Sequence, residues 1–255
     1  MTEFVFQDFD LMKQLKPEQH EFLLQIGLLR SMVGAKFSFS SKFEHNNPIQ
    51  FVNDLFNSEA LQHNFFLPDI TGKRSVRITG KQSVDINDCT VTARHESALM
   101  PALSERYCSN ETFKGMSPTK LEFIDMDVSC LLDAALFDNT CKDYSTFTPV
   151  WRDEVLCQIF AVLKAGGSMN QPSDKISDYV NLSTDIYKQF VQPVRLEAEE
   201  KLTLKHIFAY RVNNISNGDL FPTNPDLENH PGNKCLVIVD GLRRFAYIFY
   251  NVVWV

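Results

Sequence analysis

Few residues in this chain have the type and spacing for chemistry, and each also has a purely structural reading. His206 falls within a strand expected over residues 203–212. With Asp240 and Asp219 it could offer imidazole and carboxylate ligands to a metal ion. The spacing selects no such set, and a core or half-buried histidine is the simpler reading. Cys157 and His206 could pair as nucleophile and base, but a thiol in the middle of a helix is poorly exposed. Asp125 and Asp127, flanking Met126, could be paired carboxylates or a solvated junction between strand and loop. Arg243 and Arg244 stand at a turn, where guanidinium groups either grip a carboxylate or phosphate or form a solvated tip. Phe221 is an apolar anchor within the polar stretch 213–234, and with Arg243 and Arg244 it makes the candidate partner-binding set. No catalytic, cofactor-binding or metal-ligating residue is assigned, and no cofactor is expected.

The elements that must position these residues are legible as apolar periodicities. Pro17 opens a helix expected to reach about residue 30, with Phe22, Leu23, Ile26 and Leu29 at helical spacing. Residues 33–39 alternate as a strand, with Val33, Ala35, Phe37 and Phe39 on one side. Pro48 opens a second helix whose inner face is Ile49, Val52, Leu55 and Phe56. Short strands follow near 75–79 and 84–86, then a polar loop or linker over 104–119, then a strand at 121–124. Residues 149–165 read as one central helix, capped by Thr148 and stopped by Gly166 and Gly167. Residues 173–191 read as a second long helix, closed by Pro193. In the strand at 203–212, the face of Leu204, His206, Phe208 and Tyr210 is the more apolar and should meet the core. Residues 213–234 show no periodicity. The chain closes with apolar runs at 235–239 and 245–250 around Asp240-Gly241, a strong hairpin signal. The expected fold is α+β, a mixed or antiparallel sheet packed against two long helices and closed by the C-terminal hairpin. Residues 1–255 read as a single domain, with a subdomain boundary at 104–119 as the alternative.

Composition removes whole classes of function. The chain has 255 residues, 32 acids and 25 bases, a net charge of 25 − 32 = −7. That balance argues against phosphate-driven nucleic-acid binding and against docking on anionic membranes. Neither a P-loop nor a dinucleotide fingerprint is present. The first ten residues lack a basic n-region, and the longest apolar run is far below membrane-spanning length, so a soluble intracellular protein is expected. The 6 cysteines form no C-x-x-C pair and read as free, structural thiols. Hydrophobic residues at 44% and 21 Phe are ample for a core without metal or disulfide staples.

Three stretches taken together resemble one family. They are Trp151-Arg152-Asp153-Glu154-Val155-Leu156-Cys157-Gln158-Ile159-Phe160 ending in Ala165-Gly166-Gly167, then Asp178-Tyr179 through Thr184-Asp185-Ile186-Tyr187-Lys188-Gln189-Phe190-Val191, then Ile238-Val239-Asp240-Gly241-Leu242-Arg243-Arg244. With residues 33–56 before them, their order and spacing are similar to those of cilia- and flagella-associated protein 300. The resemblance covers roughly 30–56 and 121–250. It implies a non-enzymatic protein of the cytoplasm and the axoneme, required to assemble outer and inner dynein arms. Its implied partners are dynein pre-assembly factors, co-chaperones and dynein subunits, with no nucleic acid and no membrane. It brings no catalytic residue. The alternatives are a metal-dependent enzyme with a dispersed site and a stable structural component of the axoneme.

Overall fold

The period-two patterns become one six-stranded antiparallel sheet in the computed structural model. It describes residues 2–68, 74–99, 103, 107–109, 112–113, 115–121, 124–167, 170–195, 202–217, 220–221 and 230–253. In chain order the first half holds β1 (Phe4–Gln7), α1 (Pro17–Gln25), β2 (Met32–Phe39), α2 (Pro48–Phe56), α3 (Glu59–Asn64), β3 (Phe66–Pro68), β4 (Arg74–Arg77) and β5 (Val84–Cys89). Then come β6 (Cys108–Ser109), β7 (Thr112–Phe113), β8 (Gly115–Leu121), β9 (Ile124–Cys130), α4 (Leu131–Phe137), α5 (Pro149–Asp153), α6 (Val155–Ala165) and α7 (Ile176–Phe190). The last strands are β10 (Val194–Arg195), β11 (Leu202–Thr203), β12 (Ile207–Ile215), β13 (Lys234–Asp240) and β14 (Phe245–Asn251). The large sheet runs β1-β2-β14-β13-β12-β5. The C-terminal hairpin is therefore central, paired on both sides, as its continuously apolar strands require.

Each central strand feeds two cores. Leu236, Ile238, Tyr247, Phe249, Ile207 and Ala209 face a layer of α1, α4, α6 and α7. Cys235, Val237, Val239, Ala246, Ile248 and Tyr250 face the opposite way, with Val33, Ala35, Phe37 and Phe39 of β2, and are covered by α2 and α3. Both faces of β12 are consequently buried, Phe208 and Tyr210 on one and Ile207 and Ala209 on the other, rather than one face alone. Phe190 at the end of α7 locks the helical layer to the sheet, its ring 5.9 Å from Phe9, 6.0 Å from Tyr247 and 5.9 Å from Phe249. Burying such a ring contributes about 2–3 kcal/mol. Gly34 admits this layer, since a Cβ there would lie 2.8 Å from Leu11 Cβ. Below it, Lys164 of α6 reaches Asp133 of α4 at 3.1 Å, and burial nonetheless raises the Asp133 carboxyl above its ordinary range.

The structure corrects several boundaries. α1 ends at Gln25 because Gly27 turns at φ +74° and Leu28 N–H donates back to Leu23 O. On α2 it is Phe51 that is buried, whereas Ile49 is 53% exposed. The helix expected over 149–165 is two helices, broken where Glu154 takes ψ 127°. There Thr90 inserts its backbone, donating to Asp153 O and accepting from Val155 N–H. Within 104–119 the described residues include β6, β7 and the start of β8 rather than a bare loop, and the second long helix begins at Ile176 rather than 173. β12 runs on to Ile215 and β13 begins at Lys234, so both ends of the stretch read as 213–234 belong to strands, while residues 218–219 and 222–229 lie outside the described residues. His206 precedes β12, in a turn rather than on the strand.

Candidate functional site: the turn between β13 and β14

Asp240 closes β13, Phe245 opens β14 opposite it, and Gly241, Leu242, Arg243 and Arg244 lie between. The Asp240 side chain is only 2% exposed. Its Oδ1 accepts from the backbone N–H of Leu242 at 3.1 Å and of Arg243 at 2.8 Å. Its Oδ2 accepts from Arg243 Nη1 at 2.9 Å. This is the local side chain-to-backbone bonding that suits Asp to turns, completed by a charge-assisted bond. Gly241 N–H donates to His206 O at 2.9 Å and ties the turn to the start of β12.

The two arginines point to different neighbours. Arg243 Nη1 also donates to Gln192 O at 2.8 Å, and Nη2 lies 3.5 Å from Pro193 O, so its charge sits just past the negative end of the α7 dipole. Arg244 has φ +58°, a left-handed conformation that a side chain makes costly, and its Nη1 donates to Ser40 O at 2.8 Å. Lys36 of β2 completes the group, with Nζ 3.8 Å from the Phe245 ring centre. Burial first, and then the Arg243 charge, hold its amine below the ordinary lysine range, while Asp240 opposes them.

His206 is brought to this turn. Its Nε2 lies 3.8 Å from Asp240 Oδ2, too long for a hydrogen bond, and neither ring nitrogen has a hydrogen-bond partner. Three donors already occupy the carboxylate, so Asp240 is the anchor of the turn. Among the described residues no three His, Cys, Asp or Glu side chains gather as a metal site. Asp219 lies outside the described residues, as do the side chains of Asp125 and Asp127, whose backbone is in β9.

Cys157 does not reach His206. Its thiol points at Glu154 Oε2, 3.6 Å away, and burial, reinforced by that carboxylate, pushes its pKa far up. Glu154 is a buried hub the sequence did not signal. It accepts from Thr92 Oγ1 at 2.5 Å and from Ala98 N–H at 2.9 Å, pinning residues 92–98 against α6. Phe221 is half-buried, its ring stacked on Tyr250 at 5.8 Å and 7°. Tyr250 pairs with Cys235 and Val33, at the end of the sheet away from the Asp240 turn. Phe221 and the two arginines therefore do not form one patch.

A groove of about 590 Å³ runs between α1 and α7, with Lys16, Gln19, Phe22, Arg94 and Lys188 among its lining. Gln19 Nε2 donates to Asp185 across it at 3.0 Å, and Lys188 Nζ, one turn along α7, donates to the same carboxylate at 3.1 Å. Burial alone would raise the Asp185 carboxyl, but these contacts outweigh it and lower it.

The profile of the family cilia- and flagella-associated protein 300 matches residues 2–251, the whole sheet and the turn included. The chain belongs to this family. A relative of that name from Paramecium tetraurelia is 25% identical over 234 residues, 91% of this chain and 86% of that protein. Another of the same name, from Chlamydomonas reinhardtii, is 34% identical over 110 residues, 41% of this chain and 40% of that protein. No solved structure matches the chain. Membership in the cilia- and flagella-associated protein 300 family extends across residues 60–118, where the quoted stretches offered no likeness. Among the described residues, no helix is long and apolar enough to cross a membrane.

Proposed function

We propose that this member of the family is a non-enzymatic adaptor in the assembly of outer and inner axonemal dynein arms. It acts with cytoplasmic pre-assembly factors and co-chaperones, and is found in the cytoplasm and along the axoneme. The observation that carries this reading is the family match over residues 2–251. The geometry of the turn supports it: Asp240 is fully engaged in holding the loop, and Arg243 and Arg244 are fixed by backbone carbonyls near the surface. Such an arrangement presents guanidinium groups to a partner.

The test is removal of the gene from a ciliate or flagellate, followed by quantitation of dynein heavy chains in isolated axonemes. Loss of both outer- and inner-arm chains is expected, and axonemes with normal arms would refute the assembly role. High-salt extraction places the protein: an assembly factor is recovered mainly from the cell body, a built-in component with the doublets. The Arg244→Gly variant relieves backbone strain while removing one guanidinium, so it should fold well yet bind partners more weakly in a pull-down. Undiminished pull-down would move the partner surface away from the turn.

A further inference from the structure

The groove of about 590 Å³ beside α7 has two walls of different charge. Its first wall is α1, which runs antiparallel to α7. Gln19 Nε2 donates to Asp185 Oδ2 at 3.0 Å near one end, the Phe22 and Tyr179 rings meet edge-on at 5.1 Å in the middle, and Gln25 Nε2 donates to Gln171 O at 2.9 Å at the other. Tyr187 stands two residues past Asp185, about 200° around the helix, and so faces away from α1. Its O–H donates to Thr92 O at 2.6 Å, and Arg94, two residues on, lines the groove from the side opposite α1. Phe22 and Leu182 give the groove an apolar floor.

Two of the four acids in the lining are already engaged. Asp185 accepts from Gln19 and Lys188, and Asp178, at the far end, accepts from Ser173 Oγ at 2.6 Å. The other two are Glu18 and Glu21, exposed and i,i+3 along the α1 rim. Among the described residues their carboxylates have no hydrogen-bond or ion-pair partner, and neither does the exposed guanidinium of Arg94. Lys188 is 55% exposed and adds its charge on the Arg94 side, while Lys16 closes the end nearest Asp185. The groove therefore has an acidic rim on α1, a basic rim across from it and apolar side chains between them.

We propose that this groove docks an amphipathic helix of a partner protein. Its apolar seam meets Phe22 and Leu182, its basic flank meets Glu18 and Glu21, and its acidic flank meets Arg94 and Lys188. Both long elements beside the groove are helices with their own backbone bonds satisfied, so there is no strand edge to extend, and a third helix packs its ridge between two others. The ten residues from Asp178 to Lys188 span about 15 Å, close to three turns of such a partner. Opposite charges on its two flanks set its direction, as they do in coiled coils. The inference deepens the adaptor reading, and rests on it in taking the occupant to be a protein.

The test is fluorescence anisotropy of dilute labelled peptides with the full chain at about 0.15 M salt, where long-range attraction to its net charge of −7 is screened. The probes are three synthetic helices with the same leucine seam: one with a lysine flank and a glutamate flank, one with lysine on both, one with glutamate on both. The mixed helix should bind the wild type roughly 10-fold more tightly than either other, because each of those sets one flank against a like charge. In Glu18→Lys/Glu21→Lys both rims are basic, and the all-glutamate helix should become the best ligand. Arg94→Glu should weaken the mixed helix. These side chains are exposed and unpaired, so thermal unfolding of each variant should stay close to that of the wild type. No binding, equal affinity for all three helices, or the same order of preference in wild type and Glu18→Lys/Glu21→Lys would overturn the site. The peptides read the groove alone and axonemal dynein content reads the assembly role, so each can fail without the other.

Discussion

Replacing Asp240 in two ways separates the two tasks its carboxylate performs. In Asp240→Asn the amide oxygen keeps the bonds from Leu242 and Arg243 N–H, at 3.1 and 2.8 Å. What is lost is the charge opposite Arg243 Nη1 at 2.9 Å, and the amide NH2 now meets another donor there. A buried charged hydrogen bond contributes about 1.5–3 kcal/mol, and solvent at the half-buried Arg243 reduces it, so the expected cost is about 1–2 kcal/mol. Asp240→Ala strands the two backbone N–H groups as well, each at about 0.5–1.5 kcal/mol, for a total of about 2–5 kcal/mol. Urea unfolding followed by circular dichroism measures both variants, given an unchanged slope. In a double-mutant cycle, Arg243→Ala should show coupling of about 1–2 kcal/mol to Asp240→Asn. If Asp240→Ala lies within about 0.5 kcal/mol of the wild type, the turn is held by its strands alone. If both Asp240 variants cost the same, the bonds from the Leu242 and Arg243 N–H groups contribute nothing and the assignment of tasks is wrong.

Three further outcomes follow from single sites. Arg244→Gly should raise stability by about 0.5–1 kcal/mol, because glycine adopts the left-handed backbone without strain; a lower urea midpoint would show that the bond to Ser40 outweighs the strain. Glu154→Ala should cost about 2–4 kcal/mol by leaving Thr92 and Ala98 donors buried, while Glu154→Gln should cost about 1 kcal/mol because its amide can serve both; equal costs in chemical unfolding would contradict this. His230 is buried, with its pKa pushed down to about 4, mainly by burial and then by the Lys234 charge. Between pH 6.5 and 4 the unfolded chain therefore binds the proton that the folded chain refuses, so stability falls with falling pH across that window, by up to about 3 kcal/mol. His230→Asn can still accept from Gly232 N–H, and its unfolding free energy should be flatter than that of the wild type over the same pH range; identical slopes would count against the linkage.

What was legible in the sequence was set by how local the cause is. The alternation of Val33, Ala35, Phe37 and Phe39 and the Asp240-Gly241 hairpin read correctly because strand period and turn chemistry lie within a few residues of each other. The break at Glu154 did not, because Trp151, Val155 and Ile159 stay in helical phase across it. Its cause is the Thr90 backbone, which arrives only with the completed sheet. Ile49 and Phe51 exchanged roles for a related reason. Phe51 meets the rings of Phe4, Phe39 and Phe43 at 5.4, 4.9 and 4.9 Å, a cluster assembled from separate segments. At the candidate site the residue types were visible but their partners were not. His206 comes beside Asp240 only through the register of β12 on β13, which places Ile207 opposite Asp240. Arg243 meets Gln192 only because α7 ends above the same turn. A pair of arginines at a hairpin therefore reads as a solvated tip until the helix end is in place. Once it is, one arginine becomes a tether between helix and sheet and the other a strained, outward charge, and those are different roles for a partner to encounter.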